Sequence, residues 1–148
     1  MTSALRPYSP DDADACMDVW SRASRLAHPF IPGEGEGERA RITREDYLPN
    51  AEIWVAAGEG GRVLGFVALL GDELGGLFVD PRVQGEGLGR RLVEHAASLR
   101  GALYLEVFEE NTRARGFYAA MGFRETGRRV DEQTGHVLLR AERPAPHG

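Results

Sequence analysis

Residues 83 to 93 read VQGEGLGRRLV, with glycines at 85, 87 and 89 immediately ahead of a helix pattern. Glycine destabilises a helix interior by about 0.8–1 kcal/mol per residue, so three clustered at a helix start need a reason stronger than chance. The physical reading is that something must approach the backbone closely. The first N–H groups of a helix are unpaired and carry about half a positive charge, so a glycine-rich turn leading into one is a ready anion site. GLFVDPRV (76–83) reads as the strand and turn before it, and Leu88, Leu92, Ala96 and Leu99 recur at helical spacing after it until Gly101 stops the run.

Working outward, IWVAA (53–57), RVLGFVALL (62–70) and LGGLFV (74–79) are apolar runs joined by turn residues at 58–61 and 71–72, which predicts an antiparallel meander. Gly75 and Gly76 inside the last strand suggest a bulge or a close ligand approach. Toward the N-terminus, ALRPYSP (4–10) offers a first strand. Ser9 is the expected N-cap, with Pro10 at the first helical position and Asp12 three residues on, opening a helix to about Ala27 that buries Ala13, Cys16, Trp20 and Ala23. PGEGEGER (32–39) reads as a solvated loop, followed by a second helix over about 37–47. Toward the C-terminus come a strand at 103–107, a helix at about 112–121 ending at Gly122, and strands near 123–130 and 136–140 around DEQTG. The pattern predicts one α/β domain over residues 1–148, an α+β mixed sheet of about seven mostly antiparallel strands with helices on both faces.

Composition narrows the function classes. At 148 residues the chain can bury a core without staples, and its one cysteine, Cys16, excludes an internal disulfide. His28, His95, His136 and His147 are scattered without metal-ligand spacing, so no metal is expected. The net charge of -5 argues against nucleic acid as a partner. No apolar run approaches the roughly 20 residues that span a bilayer, and the start lacks signal-peptide features, which predicts a cytoplasmic protein without a membrane partner. All 18 basic residues are arginine, so the chain offers no lysine side chain to its own chemistry.

Two nucleotide-binding readings fail. A dinucleotide fold wants G-x-G-x-x-G after its first strand, whereas GEGLGR spaces its glycines differently and follows the fourth. A Walker loop needs lysine. Gln84, Gly87 and Gly89 instead write Q-x-x-G-x-G, which resembles the pyrophosphate-binding signature of the GNAT superfamily of acetyl-CoA-dependent N-acetyltransferases. NTRARGFYAAMGF (111–123) resembles the same family's second signature, and the order of elements is that of its fold along nearly the whole chain. VWSRASRLAHPFI, LFVDPRVQGEGLG and LVEHA are more narrowly similar to small stand-alone bacterial members of the YjaB type.

The resemblance implies transfer of acetyl from acetyl-CoA to a primary amine by direct attack in a ternary complex. Main-chain groups of Gln84, Gly85, Glu86, Gly87, Leu88, Gly89 and Arg90 would hold the pyrophosphate. Leu77, Phe78 and Val79 would offer unpaired strand groups to the pantetheine arm, and Asn111 would bond to its amides or stand as a helix N-cap. Among the cations, Arg82, Arg90 and Arg91 flank the loop, and Arg113 and Arg115 lie toward the nucleotide end. A lysine-like amine costs about 4 kcal/mol to deprotonate at neutral pH, so a proton acceptor is needed, and the departing thiolate gains from a hydroxyl donor. The resemblance gives the second role to Tyr118. For the base, Glu73 stands six residues before Val79, where some family members recruit a glutamate; Glu106 and a water relay compete. His28 falls where the first two helices would roof an acceptor pocket. Cys16, Trp20, Trp54 and His95 read as core or helix-face residues. A non-catalytic acyl-CoA sensor of the same fold is the alternative, the acceptor is open, and so is the choice between monomer and homodimer.

Overall fold

The computed structural model describes residues 3–146, which leaves His147 outside. Ser9 begins the first helical segment as expected: its hydroxyl accepts from the Asp11 N–H at 3.3 Å, and its own N–H donates to Asp12 at 2.9 Å. A 3-10 turn over Pro10–Asp12 passes into α1 (Ala13–Ala27), preceded by β1 (Ala4–Pro7). Cys16, Val19, Trp20 and Ala23 lie on the buried face of α1, while Ala13 is only half-buried. The second helix differs from its expected form. α2 (Gly37–Ile42) widens into a π-helical turn over Thr43–Tyr47 and tightens to a 3-10 turn over Leu48–Asn50. Pro49 cannot continue an α-helix, and the Thr43 hydroxyl bonds back to the Arg39 carbonyl at 2.8 Å, a contact that loosens the regular ladder.

The remaining elements are β2 (Glu52–Ala57), β3 (Val63–Leu70), β4 (Glu73–Val79), α3 (Leu88–Arg100), β5 (Leu103–Phe108), α4 (Thr112–Ala120), β6 (Arg124–Val130) and β7 (Val137–Arg143). One seven-stranded sheet runs in the order β1-β2-β3-β4-β5-β7-β6, and every pairing is antiparallel except β4 with β5. The meander of β2, β3 and β4 is present as read. β7 continues to Arg143, past the expected end at 140, because Leu139 and Ala141 keep alternating into the core.

Helices cover both faces. Cys16, Val19 and Trp20 of α1 pack with Ile53, Val55 and Phe66 on one side. On the other, Leu92, Val93 and Ala96 of α3 pack with Val67, Leu69 and Leu105, and Phe117 and Tyr118 of α4 join them. Leu92 and Val93 are fully buried, each contributing about 1.5–3 kcal/mol of apolar transfer, whereas Leu99, the last of the apolar repeat, is exposed. Every residue of β3 but Leu70 is buried, as expected for a central strand covered on both faces. Among the described residues no helix is long and apolar enough to cross a membrane.

Two irregularities position the site. The register of β3 against β4 pairs Ala68 with Gly76 and Leu69 with Leu74, so Gly75 is skipped as a bulge. β4 meets β5 only at Glu73 and Tyr104, and beyond that pair the two strands part.

Candidate active site

The gap between β4 and β5 opens into a cavity of about 780 Å³. Leu77, Phe78 and Val79 form one wall, with the edge of β4 left unpaired on the β5 side. Gln84, Gly85, Gly87, Leu88, Gly89 and Arg90 form its end, while Asn111, Tyr118 and His28 close it from α4 and from the chain after α1. Two expected residues stand apart: neither Glu86 nor Glu73 lines the cavity. Glu86 sits exposed on the outside of the turn, since the backbone reversal at the flanking glycines directs its side chain away.

The glycines have reasons that the structure makes specific. Gly85 and Gly87 adopt φ of 87° and 84°, the left-handed region that side chains disfavour, and a Cβ at either would meet no protein atom within 4 Å. Gly89 is different, because a Cβ there would lie 3.3 Å from Phe117 Cζ, so its absence lets α3 and α4 approach. Gly87 is the N-cap of α3 and supplies no side-chain bond, which leaves the first amides of a 13-residue helix directed at the cavity end. Arg90 and Arg113 line the cavity and have no carboxylate partner among the described residues. The other nearby cations are engaged: Arg82 by Asp80, Arg91 by Ser3, and Arg115 by Glu125 at 2.9 Å.

Asp80, at the end of β4, carried no sequence signal. It is fully buried and accepts from Arg82 at 2.7 Å and Arg22 at 3.0 Å, and from the Arg82 N–H at 3.0 Å, with Arg62 at 3.6 Å. The Arg82 bond, with the Arg22 contact behind it, outweighs burial and holds the Asp80 carboxyl well below the ordinary carboxylate range. This carboxylate ties the strand end before the glycine turn to α1. Arg22 is 58 residues away in sequence, so local pattern could not reveal the contact.

The two candidate bases differ in surroundings. Glu106 lines the cavity but is clamped by Arg129 through bonds of 2.6 and 2.7 Å, which hold its carboxyl below the ordinary value. Glu73 has no ion pair among the described residues; burial, then the charge of Glu106, pushes its carboxyl upward. Tyr47 lies on the same side of the sheet, and its hydroxyl is buried without a hydrogen-bond partner. A Cβ at Gly75 would fall 2.1 Å from that oxygen, so the bulge residue lacks a side chain where Tyr47 needs room.

Burial pushes the Tyr118 phenol upward, which keeps it a proton donor at neutral pH. Its ring packs edge-on against Phe117 at 5.4 Å and Phe123 at 5.5 Å. Asn111 does cap α4, its Oδ1 accepting from the Ala114 N–H at 3.2 Å, and its Nδ2 also reaches His28 Nε2 at 3.4 Å. His28 Nδ1 lies 2.8 Å from Glu34, whose other oxygen accepts from Arg39 at 2.6 Å. The loop read as solvated therefore turns one of its glutamates inward: the Glu34 side chain is only 4% exposed. Cys16, Trp20, Trp54 and His95 are packing residues as expected. Burial lifts the Cys16 thiol to about 12, and His95 stacks edge-on against Trp54 at 4.2 Å.

Comparison with known proteins agrees with this geometry. Residues 49–125 match the acetyltransferase (GNAT) domain family. The chain is 37% identical over 131 residues to the peptidyl-lysine N-acetyltransferase YjaB of Salmonella typhimurium, covering 88% of this chain and 90% of that one. It superposes on the solution structure of apo YjaB from Escherichia coli with a TM-score of 0.87 at 35% identity, covering 99% of this chain and all 100% of the other. A PaiA N-acetyltransferase from Thermoplasma acidophilum, solved with coenzyme A, shares the fold at a TM-score of 0.74 and 18% identity, over 95% of this chain and 98% of that one. A strand pair that parts over a cavity, a glycine turn at its end and relatives of this identity have one reading: the chain belongs to the GNAT family and is an N-acetyltransferase.

Proposed function

We propose that this single-domain protein transfers acetyl from acetyl-CoA to the side-chain amine of a peptidyl lysine in the cytoplasm, with both substrates bound together. The observation that carries the reading is the cavity between β4 and β5, which ends at the free amides of α3 and has Tyr118 on its wall. The pyrophosphate sits on the main chain from Gln84 to Arg90, including the N–H of Glu86 although its side chain points away, and Arg90 and Arg113 meet the remaining phosphate charge. The pantetheine arm lies along Leu77, Phe78 and Val79 as an added strand, with Asn111 beside it. No nucleic acid or membrane takes part.

The acceptor ammonium first loses a proton to Glu73 through water, since Glu73 stands outside the cavity lining, which fits a carboxyl raised by burial and free of an arginine clamp. The amine nitrogen then attacks the thioester carbonyl, the C–S bond breaks, and the sulfur leaves as a thiol with the Tyr118 proton. Tyr118 recovers a proton from the nitrogen of the adduct. The peptidyl-lysine acceptor is carried over from the name of the YjaB relatives. The chain contains no lysine, so acetyl-lysine formed in an assay comes from the added acceptor. The test is thiol release from acetyl-CoA with a lysine peptide: wild type turns over, and Glu73→Gln loses the rate while Glu106→Gln keeps most of it. Equal loss in both variants would remove Glu73 from the role.

A further inference from the structure

The loop between α1 and α2 carries a device that the sequence pattern hid. Gly33 and Gly35, at φ of 73° and 87°, place Glu34 between two left-handed residues and fold the loop down on α1, where the Ser21 hydroxyl donates to the Gly35 carbonyl at 2.6 Å. A Cβ at Gly35 would lie 2.9 Å from the Ser21 carbonyl, so the loop rests directly on the helix backbone. Glu34 is thereby buried, and both its oxygens are engaged, one by Arg39 and the other by His28. Burial alone would raise this carboxyl, but the bonds from His28 and Arg39 outweigh it and keep it ionised.

An ionised carboxylate only accepts hydrogen bonds, so the His28 nitrogen facing it, Nδ1, must carry the proton. A second constraint comes from the opposite side of the ring. Asn111 spends its Oδ1 on the Ala114 N–H, so the group it presents to His28 Nε2 is the NH₂ donor. Two independent partners from distant elements thus fix the same tautomer. Phe108 and Phe30 pack edge-on against the ring at 5.0 and 5.8 Å and hold its plane.

We infer that Glu34 is a positioning residue that holds His28 with an unprotonated Nε2 at the cavity, where an N–H of the acceptor amine displaces the long 3.4 Å contact from Asn111 and takes the nitrogen's one lone pair. This rests on the functional reading above and adds to it a determinant of acceptor binding: an N–H donor is received at Nε2, on a short aliphatic stem lying between Phe30 and Phe108, both of which line the cavity.

The experiment has two readouts. Ring-nitrogen NMR of the wild-type protein, at a pH well above the ordinary histidine range and without substrates, is expected to show His28 with Nδ1 protonated and Nε2 bare. Glu34→Gln should shift it toward protonated Nε2. In steady-state assays with a lysine peptide, Glu34→Gln should raise the peptide KM roughly tenfold, the loss of about one hydrogen bond, with acetyl-CoA affinity unchanged and kcat altered far less. A protonated Nε2 in the wild type overturns the inference, even if Glu34→Gln fails to fold. So does an unchanged peptide KM in a folded Glu34→Gln. A wild type with bare Nε2 that acetylates no peptide would instead sink the functional reading, and the two failures are read separately.

Discussion

At one end of the cavity, the glycine turn and the first residues of α3 present main-chain groups; at the other, His28, Glu34, Arg39 and Asn111 meet through side chains drawn from three segments of the chain. The first end is built from consecutive residues whose conformations are set by glycine at positive φ and by a helix start. The second depends on a contact between residues 83 apart. The contrast teaches that an anion site made of backbone writes itself into a short sequence pattern, while an acceptor site made of side chains does not. It also implies that the two ends can be perturbed separately, which the following expectations try to break.

The largest effect belongs to the junction between the two ends. Tyr118→Phe removes the proton for the leaving sulfur and should lower turnover roughly a hundredfold, with acetyl-CoA affinity by calorimetry unchanged. A loss of affinity there would show that the ends are not separable.

Next comes Asp80→Asn, which leaves Arg22 and Arg82 facing a neutral amide. Because those arginines are about half exposed, the expected loss is about 2 kcal/mol by urea unfolding, below the roughly 3–5 kcal/mol of a fully buried pair. The pH dependence has a definite direction. Asp80 is lower in the folded state than unfolded, so its contribution is full above about pH 4, the unfolded value, and fades as pH falls through the depressed folded value. Wild type should therefore lose stability below about pH 4 more steeply than Asp80→Asn. Identical acid limbs would reject the assignment.

Smaller again, Gly87→Ala forces a side chain into φ of 84° at a cost of about 1–2 kcal/mol. If that strain falls on the turn, the acetyl-CoA dissociation constant rises about tenfold and the lysine-peptide KM stays put. The smallest effect is expected for Tyr47→Phe, which deletes a buried hydroxyl with no partner and should leave stability unchanged or raise it by up to about 1 kcal/mol. The same change should rescue Gly75→Ala, whose Cβ would sit 2.1 Å from that oxygen. A Gly75→Ala defect that Tyr47→Phe does not relieve would mean the bulge serves something else.

Most of the fold was legible because its signals are local. The Ser9 cap, the α3 stripe up to Ala96, the three-strand meander and the turn glycines each depend on neighbours within a few residues, and they stand where the pattern put them, with Leu99 alone of the stripe exposed. Gly75 and Gly76 left a bulge or a close ligand approach open, and the bulge is present at Gly75, though the Tyr47 that faces it did not show, since it arrives from a π-helical turn that no periodicity predicts. Glu34 was missed for the opposite reason. A glycine–glutamate repeat looks solvated by composition, and only the reversal at Gly33 and Gly35 turns one carboxylate inward. Asp80 sat beside the recognised turn unremarked, because an acidic residue before proline is ordinary and its partner lies on α1.

The lone pairing of Glu73 with Tyr104 makes the sheet a half-open book whose spine is one residue long. A cofactor lying in the fold of that book touches both pages, so its binding energy adds directly to what keeps them bound. At a hundredfold excess over its dissociation constant that amounts to about 2.7 kcal/mol, and melting curves should climb with coenzyme A concentration accordingly.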